Sequence, residues 1–132
     1  MKKRVLLVDD VPSVVRAIQR RISDEFDVEL AYSGAAALET MEIASFDVVM
    51  TDLDMPKMTG WELIERASGR WPETAFVVLT GNIALREQEE KYRTAICGLL
   101  RKPCTVDTIK KAIRKACGMA SDDNSASETL TA

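Results

Sequence analysis

The chain has 132 residues, 46% of them hydrophobic and 30% charged, with a formal net charge of −3, the profile of one globular domain long enough to bury a core. Asp122, Asp123 and Glu128 in segment 118–132, which has no Lys or Arg, account for that whole charge, so the neutral body lacks the basic excess that nucleic-acid binding requires. Histidine is absent, which excludes Ser-His-Asp and Cys-His catalysis and any His-ligated metal site.

Three cysteines, Cys97, Cys104 and Cys117, form an odd set without a metal-binding CxxC spacing, which points to a reducing, cytoplasmic compartment. The basic start Met1-Lys2-Lys3-Arg4 is followed by only four apolar residues, short of the roughly 7–15 of a secretion signal. No apolar run approaches the roughly 18 residues of a membrane span.

Apolar runs alternate with helical patterns along the chain. Val5-Leu6-Leu7-Val8 reads as a buried strand ending at Asp9-Asp10. Pro12 suits the first turn of a helix, and Val15, Ile18 and Ile22 carry its apolar stripe to about Glu25. Residues 27–31 read as a second strand, and Ser33 caps a helix that runs to about Ala44 with Leu38 and Met41 inward. A strand at 47–51 leads directly into Asp52. Thr59 and Glu62 have the spacing of a capping box, and Leu63, Ile64 and Ala67 mark that helix's apolar side until Arg70-Trp71-Pro72 ends it. A strand at 75–79 precedes Thr80, and a polar helix runs to about Tyr92. A short strand near 98–101 precedes Lys102-Pro103. Thr105 caps the last helix, striped by Val106, Ile109, Ile113 and Ala116.

Strands alternating with helices predict an α/β fold, a doubly wound five-stranded parallel sheet of order 2-1-3-4-5 with five flanking helices. The domain is expected over 1–117, followed by a disordered polar tail over 118–132. In such a sheet the carboxyl ends of the strands share one crevice. Asp9, Asp10, Asp52, Thr80 and Lys102 are therefore expected to converge there.

That set suits a divalent cation and a phosphoryl group. Adjacent carboxylates repel unless a cation neutralises them, and Mg²⁺ is held by one or two carboxylates plus substrate oxygens and waters. Asp52 can serve as a nucleophile towards phosphorus. Thr80 offers a hydroxyl donor and Lys102 an ammonium to complete an oxyanion clamp. The plainer readings are helix capping by Asp9 or Asp10, a strand-end Thr80 and a solvated Lys102. The basic runs near Arg86–Arg93 and Lys110–Lys115 read most simply as solvated faces. Trp61 and Trp71 read as packing residues.

Asp9-Asp10, Asp52-Leu53-Asp54-Met55-Pro56 with Gly60, Thr80-Gly81 and Lys102-Pro103 together resemble the receiver domain of two-component response regulators. The resemblance covers roughly residues 3–117. It implies that Asp52 accepts a phosphoryl group from a partner's phosphohistidine, that of a sensor histidine kinase or a histidine phosphotransfer protein. It also implies that Asp9, Asp10 and Asp52 bind Mg²⁺ with the backbone carbonyl of Asp54, and that Thr80 and Lys102 contact the phosphoryl group. The chain would then act as a switch on a downstream protein or output domain, with phosphorylation-dependent homodimerisation as one outcome, and not as an enzyme. The position three before Lys102, often aromatic in that family, is Leu99, and Asp54 and Asn82 stand where the family tunes dephosphorylation.

Two other functions fit parts of the pattern. Asp52-Leu53-Asp54 resembles the nucleophile and acid pair of haloacid-dehalogenase-type phosphatases, although Pro56 stands where those enzymes usually carry Thr. A pseudo-receiver that binds partners without taking phosphate is the other.

Overall fold

In the computed structural model of the chain, residues 2–81 and 89–118 are described. Asn82, most of the predicted polar helix before Tyr92 and nearly all of the predicted tail lie outside them.

Runs of Val, Leu and Ile cannot face water on either side, and they build the middle of a parallel sheet. Its strands are β1 (Arg4–Val8), β2 (Asp27–Ala31), β3 (Val48–Thr51), β4 (Ala75–Thr80) and β5 (Gly98–Arg101). They lie in the order β2-β1-β3-β4-β5, all neighbours parallel. The reversal of order at β1 and β3 places the switch point between those strands, where Val8 pairs with Thr51.

Because strand side chains alternate, each strand feeds two cores. Leu6, Val8, Val49, Phe76 and Val78 pack with Ala37, Met41, Leu63 and Ile64 on one face. Val5, Leu7, Val48, Met50, Val77 and Leu79 pack with Val15, Ile22, Ile109 and Ile113 on the other. The first group carries α2 (Gly34–Ile43) and α3 (Gly60–Ser68), the second α1 (Pro12–Ile22) and α5 (Val106–Ala116).

The caps follow the sequence closely. Ser33 Oγ accepts from the amide of Ala36, Thr59 and Glu62 form the full capping box, and Thr105 Oγ1 accepts from Thr108. α1 ends at Ile22 rather than near Glu25, and the chain beyond it tightens, with the Glu25 amide donating to the Ile22 carbonyl only three residues back. Among the described residues, four helices of nine or more residues flank the sheet. Of the fourth helix the sequence predicts, the described residues contain only α4 (Glu89–Tyr92), continued by a 3-10 turn at Arg93–Ala95. Of the five flanking helices expected, four are thus seen at full length among the described residues and the fourth in chain order only at its end.

The basic face of α5 is not simply solvated. Arg114 grips Glu25 with Nε and a terminal nitrogen at 2.6 and 2.5 Å, and Lys110 Nζ lies 3.0 Å from Asp24. The pairs tie α5 to the turn between α1 and β2. No described helix is long and apolar enough to cross a membrane.

Candidate functional site

Three main-chain hydrogen bonds carry the parallel ladder one residue past the strand ends. The amide of Asp9 donates to Ala31 O at 3.2 Å, that of Asp52 to Val8 O at 3.0 Å, and that of Lys102 to Thr80 O at 2.9 Å. These bonds fix the backbones of Asp9, Asp52, Thr80 and Lys102, and they bring sequence-distant groups to one edge. The Lys102-Pro103 bond is cis.

One oxygen from each of Asp9, Asp10 and Asp52 lies within 4.8 Å of the others. Asp9 and Asp52 are buried, at 3% and 9% exposure, while Asp10 is more open. Lys102 Nζ reaches across them, 2.8 Å from Asp9 Oδ2 and 3.4 Å from Asp52 Oδ2. The other oxygens face the backbone: Asp9 Oδ1 accepts from Val11 N at 3.0 Å, and Asp52 Oδ1 accepts from Leu53 N at 2.7 Å and Asp54 N at 3.4 Å. Asp9 thus steadies the loop ahead of α1, and Val11, without a side-chain cap, is that helix's N-cap.

The electrostatics follow from crowding. Burial raises the Asp10 carboxyl above its ordinary value, opposed by its own backbone hydrogen bond and reinforced by the charge of Asp9. Burial works against the Lys102 ammonium, yet the hydrogen bond to Asp9 and the charges of Asp52 and Asp9 outweigh it and raise its pKa. One ammonium faces three carboxylates, so the cluster has uncompensated negative charge and an all-oxygen donor set. That chemistry fits a hard divalent cation such as Mg²⁺.

Thr80 is buried at the end of β4, 2% exposed, next to the strand that carries Lys102. A Cβ added to Gly81 would meet Lys102 Cβ at an ordinary 3.7 Å. Asp54 is exposed. Behind Asp9 and Asp52 a cavity of only about 10 Å³ has room for about one water.

Gly60 has a role that its place in the motif does not reveal. Its amide donates to Leu53 O at 3.0 Å, and a Cβ on it would stand 2.2 Å from Asp52 O. The first turn of α3 therefore packs directly on the peptide of Asp52. Gly34 similarly leaves space for Met58, whose Sδ would lie 2.5 Å from an added Cβ. Lys57, in the loop between, has a positive φ of 70°. Sequence patterns signal that Gly60 matters; the steric reason needs the tertiary contact.

Known proteins share this fold. The family model described as response regulator receiver domain matches residues 5–114. The aerobic respiration control sensor protein ArcB of Escherichia coli (strain K12) is 30% identical over 127 residues, a match covering 92% of this chain and 16% of ArcB. This chain thus spans under a fifth of that relative's length. Among solved structures, an adenylate cyclase from Rhodopirellula baltica superposes with a TM-score of 0.83 at 34% identity over 89% of each chain. A response regulator receiver domain protein from Clostridium thermocellum superposes with a TM-score of 0.81 at 28% identity, over 88% of this chain and 94% of that one. With the order of its strands, its acidic edge and its matched span in agreement, the chain belongs to the response regulator receiver domain family of two-component signalling.

Proposed function

We propose that Asp52 accepts a phosphoryl group from the phosphohistidine of a sensor kinase or phosphotransfer protein, and that the modified chain changes its binding to a downstream protein or output domain. The observation that carries this reading is the bridging position of Lys102 Nζ, 2.8 Å from Asp9 and 3.4 Å from Asp52 at the acidic edge.

Asp52 Oδ1 is engaged by two backbone amides, which leaves Oδ2 as the attacking oxygen. A new Oδ2–P bond forms as the donor's P–N bond breaks, and the bonding pair of that bond returns to the donor imidazole. Lys102 then moves from the Asp52 carboxylate to the phosphoryl oxygens, holding charge that develops there. Thr80 supplies a hydroxyl donor to the same oxygens. Asp9, Asp10, Asp52 and the backbone carbonyl of Asp54 would hold Mg²⁺, which supplies positive charge to the phosphoryl oxygens. The Leu53 and Asp54 amides keep the acceptor oriented until the Oδ2–P bond forms. The missing histidine of this chain agrees with a donor on another protein.

The receiver unit occupies residues 1–117. Free cysteines at Cys97, Cys104 and Cys117 support work in a reducing cytoplasm. Phosphorylation-dependent self-association is one way the switch can be read out.

The test is transfer from a radiolabelled phosphohistidine domain. Label should move to this chain only with Mg²⁺ and leave it in alkali. Sustained hydrolysis of p-nitrophenyl phosphate would instead support a phosphatase. A chain that binds Mg²⁺ but takes no label would be a pseudo-receiver.

A further inference from the structure

An event at Asp52 needs a path to the surface, and residue types limit the choice. Leu99, on β5, is a partly buried aliphatic packed against the core, and its side chain has no polar group to exchange partners. Another path begins at the main chain of Asp52. Gly60 packs on that peptide so tightly that even a methyl group would meet Asp52 O at 2.2 Å, and it is bonded to Leu53 O at 3.0 Å. The next residue, Trp61, is wholly buried. Its ring stacks on Tyr92 of α4 with centroids 5.1 Å apart and planes 8° from parallel. The Tyr92 hydroxyl donates to Glu65 Oε1 at 2.9 Å. Trp61 and Glu65 are four apart on α3 and so share a face. Between them they clamp Tyr92, ring and hydroxyl, and Tyr92 leads into the 3-10 turn Arg93–Ala95 before β5.

We propose that this clamp couples Asp52 to the α4–β5 surface, and that the Tyr92–Glu65 hydrogen bond is weakened in the phosphorylated state. The inference rests on Asp52 being the phosphoacceptor. Bond formation at Asp52 Oδ2 converts Oδ1 from a carboxylate oxygen into the neutral carbonyl oxygen of an acyl phosphate, a mixed anhydride. Its hydrogen bonds from Leu53 and Asp54 then lose their charge-assisted strength, which is roughly twice that of neutral ones. The Leu53 peptide is released while Gly60 remains bonded to it, so α3's first turn follows. A close-packed ring such as Trp61 transmits that displacement rather than absorbing it.

The experiment uses the full chain. In a Trp71→Phe background Trp61 is the sole indole. Its emission should change when Mg²⁺ and beryllofluoride, a phosphoryl mimic, bind, and should not change in Asp52→Asn. Tyr92→Phe keeps the stack and removes the hydrogen bond to Glu65. If that bond belongs to the unmodified state, reciprocity requires tighter beryllofluoride binding, by roughly two- to tenfold in a calorimetric titration. A merely structural role would move the melting temperature and leave that midpoint in place. An unchanged midpoint, in a variant that still takes a phosphoryl group from acetyl phosphate at Asp52, overturns the coupling alone. Failure of the parent chain to take the group overturns the proposed function, and the coupling with it.

Discussion

Replacing Gly60 by alanine places a methyl carbon where the Asp52 carbonyl oxygen, 2.2 Å away, and the Leu53 Cα, 2.9 Å away, already stand. Both obstacles are backbone, so no side chain can rotate to relieve them. α3 must lift from the end of β3 and lengthen the Gly60–Leu53 hydrogen bond. Overpacking of this kind costs about 1–3 kcal/mol, and loss of the hydrogen bond adds about 1 kcal/mol. Alanine's better helix propensity returns at most about 1 kcal/mol. The net is about 2 kcal/mol, which for a domain of this size lowers the melting temperature by about 8 °C. Gly69 provides the control, with a φ of −75° and no atom within 4 Å of an added Cβ. Alanine there should stabilise by about 0.4–1 kcal/mol through the unfolded chain. Circular dichroism melts of the two variants compare them directly. If Gly60→Ala melts at or above the parent, or Gly69→Ala falls as far, the steric account is wrong.

Two further predictions concern charge. Lys102→Ala leaves the buried Asp9 and Asp52 without their ammonium; allowing for the partly open Lys102 side chain, the loss is about 2 kcal/mol without divalent cation. Melts in EDTA should show that loss, and Mg²⁺ should raise the variant's melting temperature more than the parent's; equal melting in EDTA would reject the ion pair's importance. Because the Lys102 pKa is raised above 10.5, its contribution is complete below 10.5 and fades as pH rises through the folded value, so the parent's alkaline limb should be the steeper. At the other end of the fold, the hydrogen bond from Arg114 holds the Glu25 carboxyl below its ordinary 4.5 despite burial. That stability is present above 4.5 and lost as pH falls through the lower folded value. Arg114→Met should cost about 1 kcal/mol at neutral pH and flatten the acid limb, while an unaltered acid limb would show the pair to be idle.

Much of the fold is legible because strand and helix signals agree locally. β1, β3 and β4 are apolar runs too short for helices, and Ser33, Thr59 and Thr105 announce the helices that follow. The acidic edge is legible for a topological reason: each candidate residue ends or follows a strand, and parallel strands end on one side. What local pattern cannot supply is distance between sequence-remote groups. The Lys102 bridge joins residues 93 and 50 positions apart, and the Tyr92 clamp joins α4 to α3 across 27. The same limit explains the basic face of α5, which looks solvated as a helix pattern but meets Asp24 and Glu25 once α1 and α5 pack side by side. α1 stops short of Glu25 for a smaller reason: Ser23-Asp24-Glu25 reads as a continuing polar face, but the Glu25 amide tightens onto Ile22 O three residues back.

The most direct measurement of the central claim is intact-mass analysis after incubation with acetyl phosphate, with peptide mapping of the modified residue. A single added phosphoryl group is expected at Asp52, formed only with Mg²⁺, labile to alkali and absent from Asp52→Asn. No mass gain in the folded, Mg²⁺-supplied chain, or the same gain in Asp52→Asn, would contradict it.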